Sequence, residues 1–167
     1  MTELELAQRF GVSLTIGALV GAERHWRERD EADGQRTAGL RTFTLIGLFG
    51  AVAAALDLAL RGAGGSVSGN PLPGGLVLIG LFLPFSAAFI LFHYREQIAE
   101  QDFSVTTVVA AMLTYALGAL AVIGDMRMAG ACGVVLAGIL AAREKLHGFM
   151  RALTFAELRS AIVLLAM

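Results

Sequence analysis

From Gly21 to Thr42 the chain reads GAERHWRERDEADGQRTAGLRT. This stretch packs Glu23, Arg24, Arg27, Glu28, Arg29, Asp30, Glu31, Asp33, Arg36 and Arg41 between two apolar runs, GVSLTIGALV before it and FTLIGLFGAVAAALDLAL after it. A dense polar segment flanked in this way reads as the link between two membrane-crossing helices, because lipid leaves every backbone group to be satisfied within a spanning segment. The expected fold is therefore all-α, a polytopic transmembrane helical bundle.

Composition points the same way. Hydrophobic residues make up 56% of the 167 residues and charged ones 16%, with a net charge of -1; the mean hydropathy is +0.70. These values are more apolar than those of an ordinary soluble domain, and the charges bunch between the apolar runs. No basic footprint for nucleic acid is visible. Cys132 is the only cysteine, which excludes an intramolecular disulfide framework and a cysteine-based metal cluster. The acidic start MTELELAQRF lacks the basic region of a secretory signal, so the first apolar run is expected to stay in the protein.

About 20 apolar residues are needed to cross the hydrocarbon core. Five stretches are expected to do so: Leu4 to Ala22, Leu40 to Leu60, Gly74 to His93, Phe103 to Ile123 and Met126 to Ala142. Together they define a five-helix transmembrane domain over 1–142. Residues 143–167 are expected to form an amphipathic interfacial helix and the start of a further helix, which breaks off at Met167 inside an apolar run. Within that tail, Leu146, Phe149 and Leu153 share one side, and Thr154 with Glu157 makes a capping box. Arg61 to Gly75 reads as a flexible loop by its Gly, Ser and Pro content.

Lys and Arg collect in the segments after the first and fifth helices, with Arg95 on the same side. The positive-inside rule makes that side cytoplasmic and the N-terminus external, with the charged loop 23–39 inside. Arg9 then lies near the outer end of the first helix, where it is expected to snorkel to the headgroups. Small residues recur every four positions, as Ser13, Gly17 and Gly21; Gly47, Ala51 and Ala55; Ala110, Thr114 and Gly118; Gly133, Ala137 and Ala141. Such rows let helix backbones approach in lipid, within one bundle or across a homodimer face. The third helix instead carries Phe82, Phe85, Phe89 and Phe92 on one flank, expected to face lipid, and a proline, Pro84, expected to bend it.

Glu23 sits near the C-terminal end of the first helix and Arg41 at the N-terminal end of the second, both against the helix dipole. The simplest account pairs them, with Arg24 and Thr42 adding donors; ordinary solvated flanks are the alternative that spacing leaves open.

GALVGAERHWR followed by TAGLRTFTLIGLFGA resembles the signature of the MgtC/SapB family of bacterial membrane proteins, in which one helix ends in Gly-x-Glu-Arg and the next opens with Ala-Gly-Leu-Arg-Thr. VTTVVAAMLTYALGAL and REKLHGFMRALTFAELRSAI are similar to the longer MgtC-like proteins, where this domain precedes a second multi-helix domain. The resemblance implies a functional role for Glu23, Arg24, Gly39, Arg41 and Thr42. Gly39 also suits a turn into a membrane helix that needs a positive φ. An acidic residue is expected after the Thr106 and Thr107 pair in the longer group, and this chain has Val108 there, which puts an ion site at that position in doubt.

Other polar candidates are Asp57, an acid inside a span and so a site hypothesis by default, and Asp102, Ser104, Thr106 and Thr107, which open the fourth helix. Mg²⁺ takes a few carboxylate oxygens and keeps several waters, so Glu23, Asp57 and Asp102 are conceivable participants, with helix geometry expected to separate Asp57 from the other two. His25, His93 and His147 show no metal-ligand spacing. The chain has no phosphate loop, dinucleotide fingerprint or zinc-protease motif, and no enzyme activity is expected. The reading is a protein of the bacterial inner membrane, an expected homodimer, in divalent-cation homeostasis or transport with Mg²⁺ or another divalent cation as substrate and no cofactor. The alternative is a regulator or assembly domain acting on a membrane partner such as ATP synthase, since the smaller MgtC-like proteins are associated with adaptation to low magnesium and with restraint of that enzyme.

Overall fold

The computed structural model describes residues 2–27, 38–64, 66–67, 70–71, 73–100, 105–142, 159–160 and 163–164. Its helices are α1 (Glu3–Arg27), α2 (Leu40–Gly62), α3 (Leu76–Glu100), α4 (Thr106–Ile123) and α5 (Met126–Ala141), which is the expected all-α bundle. Helix α1 runs past Ala22 to Arg27, because helical hydrogen bonding continues after the apolar face has ended; Glu23 and Arg24 are thereby inside the helix. The loop between α2 and α3 holds a two-residue antiparallel pair, β1 (Ser66–Val67) with β2 (Asn70–Pro71). Helices α2, α3 and α4 are each long and apolar enough to cross a membrane, whereas α5 is apolar but shorter. Helix α1 has the length, at 25 residues, but Glu3, Glu5, Arg9, Glu23, Arg24 and Arg27 make it less apolar.

The chain divides into two compact units, Met1–Ala137 and Gly138–Met167. Of the second unit, only the end of α5, Ala142 and four helical residues at 159–160 and 163–164 are described; the rest of the expected interfacial helix lies outside the described residues.

In the first unit, glycines set the packing of α1, α2 and α4. A side-chain carbon at Gly17 would overlap the Phe43 carbonyl, one at Gly47 the Ser13 carbonyl, and one at Gly118 the Gly47 carbonyl; at Gly21 it would lie 2.7 Å from the Leu40 Cα. Backbone therefore meets backbone, an approach only glycine allows. Gly50, which the small-residue rows omit, abuts the Tyr115 carbonyl in the same way. These contacts give the directions of the helices. Ser13 lies at Gly47 and Gly21 at Leu40, so α1 and α2 are antiparallel; Arg9 lies at Gly124 and Ser13 at Gly118, so α4 also opposes α1. Helices α2 and α4 consequently run the same way.

Helix α3 lies against α2 and α4 through rings. Phe85 sits 5.8 Å from both Phe49 and Tyr115, Phe82 is 5.2 Å from Tyr115, and the Tyr115 hydroxyl donates to the Leu78 carbonyl at 3.0 Å. The expected lipid-facing phenylalanine row is thus corrected: Phe82, Phe85 and Phe89 are half-buried, and only Phe92 of the four is exposed. Tilted and edge-to-face ring pairs contribute about 0.5–1.5 kcal/mol each beyond the area they bury. Helix α5 returns along α1, with Gly133 against Ile16 and Ala129 in a cluster with Ile16 and Ala121.

Candidate functional site

Two polar regions sit at opposite ends of the α1–α2–α4 core. One is the linker end, where α1 stops and α2 starts. Arg24 is drawn in to 2% exposure, and its Nε lies 3.7 Å from Glu23 Oε2. Its guanidinium is at the C-terminal end of α1, where the helix dipole favours a cation and offsets the unfavourable placement of Glu23. Ala38 is buried, Gly39 and Thr42 are half-buried, and Arg41 is exposed. The expected Glu23–Arg41 pair is therefore not formed; the described ion contact of Glu23 is to its chain neighbour Arg24, while Arg41 points to the outside.

Gly39 is also corrected. It takes an extended conformation, φ -93 and ψ -161, as the cap residue before α2, and nothing lies within 4 Å of where a side-chain carbon would be. Neither conformation nor crowding demands glycine there. Thr107 and Val108 are buried near the start of α4 and Thr106 is exposed; Asp102 and Ser104 lie outside the described residues.

The opposite end holds the acid that an apolar span made conspicuous. Asp57 is 2% exposed. Its Oδ2 accepts from the Gly75 N–H at 3.1 Å, its Oδ1 from the Val77 N–H at 3.2 Å, and Arg61 lies 3.0 Å from Oδ2. Asp57 thus caps the N-terminus of α3, supplying both the acceptors and the negative charge that the first turn of a helix wants. Gly75, at φ 85, makes the turn that brings those N–H groups over the carboxylate.

Arg9 is likewise corrected, because it does not snorkel. Its Nη1 donates to the carbonyls of Ala121 at 3.0 Å, Val122 at 2.9 Å and Gly124 at 2.8 Å, while Nε and Nη2 donate to Glu5 Oε1. The last carbonyls of α4 have no helical donor, and this guanidinium provides one. Asp125 does the reverse for α5: its Oδ1 accepts from the Arg127 and Met128 N–H groups at 2.7 and 3.1 Å, and those bonds hold its carboxyl below the ordinary range.

Glu23 and Asp57 do not meet. Leu40 is level with Gly21, and at 1.5 Å per residue Asp57 is about 25 Å further along α2. Among the described residues no three His, Cys, Asp or Glu side chains are grouped to hold a metal ion. Glu23 and Asp57 therefore stand apart, as helix geometry leads one to expect, and Asp102 lies outside the described residues.

A family model described as MgtC family matches residues 10–149. The chain belongs to the MgtC family. The matched region takes in both linker-end motifs and all of α2 to α5, which makes this MgtC family member a membrane protein whose spanning helices carry the match. Comparison with curated proteins and with solved structures gave no match.

Proposed function

We propose that the protein serves divalent-cation homeostasis or transport in the bacterial inner membrane, with Mg²⁺ the expected substrate and the linker end as the working site. The observation that carries this reading is the burial of Arg24 beside Glu23. A charge that only flanked a span would remain in water, whereas a buried one at a membrane boundary costs free energy that the fold must have a use for. Arg41, exposed at the adjoining start of α2, is the group free to meet an ion's counter-charge or a partner. The Lys and Arg of the flanking loops support a cytoplasmic linker end and an external N-terminus. Glu23, Arg24, Gly39, Arg41 and Thr42 form the functional set, and no covalent chemistry is assigned to them.

A second reading, a non-transporting regulator acting on a membrane partner such as ATP synthase, is favoured by the core. Backbone contact at Gly17, Gly47, Gly50 and Gly118 fills the space between α1, α2 and α4, so a route between Glu23 and Asp57 would have to run elsewhere or between copies in a dimer. Divalent-ion flux into liposomes holding the full chain, with Arg41→Ala alongside, separates the two. Flux lost in the variant supports transport. Absent flux, with growth under Mg²⁺ limitation still dependent on Arg41, supports regulation, and indifference of both to Arg41→Ala overturns the site.

A further inference from the structure

The spanning stretch of α3 is polar where it is buried and apolar where it is not. Only 11% of that stretch is buried, and the residues concerned are Ser86 and His93, each 7% exposed, whereas Leu83, Ile90, Leu91 and Phe92 face outward. Seven residues make two helical turns, so Ser86 and His93 share a face, the one on which Phe82 and Phe85 meet Phe49 and Tyr115. A polar group turned inward from a spanning helix marks a site or a path.

Ser86 carries the stronger signal. Ser13, Thr15, Thr44 and Thr114 each donate to the carbonyl four residues before them, the usual way for a hydroxyl in a helix to be satisfied locally. The Ser86 Oγ is buried and has no hydrogen-bond partner. An unmet buried hydroxyl costs free energy, and a passing water or ion would recover it.

The ring and cap contacts set the levels along the bundle. Asp57 holds the Gly75 and Val77 N–H groups, and Phe85 lies 5.8 Å from Phe49, so α2 and α3 are antiparallel. His93 is eight residues beyond Phe85 and Arg41 eight residues before Phe49, which carries both about 12 Å from the ring pair, to the linker end. Ser86 stands between that end and Tyr115, whose hydroxyl donates to the Leu78 carbonyl at 3.0 Å. An imidazole and two hydroxyls thus follow one another along one side of α3, while glycine contacts fill the space between α1, α2 and α4.

We propose that the inner face of α3 is a hydrated polar track that admits cations, entered at the linker end beside His93 and passing Ser86 toward Tyr115. Hydroxyl and imidazole groups both donate and accept hydrogen bonds, so they can trade partners with the water that Mg²⁺ retains, and ring faces present negative charge to a cation. The inference rests on the transport reading and supplies a route outside the glycine-packed core.

The test is cysteine accessibility on the full chain in proteoliposomes, in a Cys132→Ser background because Cys132 is exposed. Ser86→Cys is compared with Leu83→Cys and Ile90→Cys, whose positions are exposed on the outer side of α3, using membrane-impermeant thiosulfonates of either charge. A thiol in apolar surroundings reacts slowly because its thiolate is disfavoured, so Ser86→Cys on a hydrated track should react at least about tenfold faster than the outward pair. It should also prefer the cationic reagent to the anionic one. His93→Cys should behave alike, and it keeps the test decisive where Ser86→Cys does not fold. Reaction of the inward cysteines as slow as that of the outward pair overturns the track even where Mg²⁺ flux is present, and so does the lack of a cationic preference. Fast cationic labelling without Mg²⁺ flux upholds the track and overturns the transport reading alone.

Discussion

Arg9 of α1 donates a hydrogen bond to the carbonyl of Gly124, beyond the end of α4, at 2.8 Å, and the same nitrogen reaches the Ala121 and Val122 carbonyls. One side chain therefore closes the end of a helix more than a hundred residues away. Its removal leaves those carbonyls in a setting poor in water. Charge-assisted hydrogen bonds are about twice as strong as neutral ones, and losing this set is expected to cost about 2–4 kcal/mol for Arg9→Ala. Arg9→Lys, with a point charge in place of a fork, should fall between that variant and the native chain. Reversible unfolding in detergent micelles measures both; equal stability of all three would mean that the cap contributes nothing.

Asp57 makes the complementary prediction at the start of α3. Asp57→Ala strands two N–H groups and Arg61, and about 1–3 kcal/mol of stability should be lost. Asp57→Asn keeps one acceptor and so should lose less. In flux or growth assays under conditions where the protein is folded, neither variant should behave as a loss of an ion ligand. A selective functional defect without any loss of stability would reverse this assignment.

All five helices were legible, and three of the five expected spans, α2, α3 and α4, are long and apolar enough to cross a membrane, because an apolar run of helical length in a polar-punctuated chain has few other solutions. What each polar residue touches was not. Arg9 reads as a headgroup anchor because its partners are backbone carbonyls, which have no sequence signature. Asp57 reads as a site because the helix it caps begins 19 residues later, across a Gly-rich loop. Gly39 suggests a positive φ and takes an extended one. The small-residue rows were a sounder guide, since a backbone contact needs glycine whatever the partner. Even there, Gly50 stands outside the four-residue spacing.

The glycine seam gives a sharp contrast. Gly118→Ala would place a carbon on the Gly47 carbonyl, and overpacking of this kind is expected to cost about 1–3 kcal/mol or to push α4 off α2. Gly39→Ala meets nothing within 4 Å and should change stability by less than about 0.5 kcal/mol. Any loss of function in Gly39→Ala would then report on the site and not on the fold. Thermal unfolding of the two variants side by side is sufficient.

Asp125 should lend the link between α4 and α5 a pH dependence. Its carboxyl is held below the ordinary 3.8 by the N–H groups of Met128 and Arg127. A depressed folded value stabilises above the unfolded value, and that contribution is lost as pH falls through the folded one. The native chain should thus lose stability relative to Asp125→Asn on acidification below about pH 4, and the difference should be constant near neutrality. Parallel stability curves throughout would show that the cap is not formed as a carboxylate.

The two arginines of the linker end divide stability from function. Arg24 is buried beside Glu23, and removing one member of a buried pair leaves the other's charge in poor solvation, so Arg24→Ala should destabilise by about 3 kcal/mol or more. A functional defect in that variant would say little, because fold and site fail together. Arg41 is exposed at the start of α2, against the dipole of its own helix, and Arg41→Ala should leave unfolding within about 0.5 kcal/mol of native or slightly above it. If the linker end is the working site, that same stable variant should lose growth support under Mg²⁺ limitation, and Arg41→Lys should recover part of it by restoring the charge. Full activity of Arg41→Ala at native stability would leave Arg24 as a structural residue only, and the working surface would have to be sought on another face of the bundle.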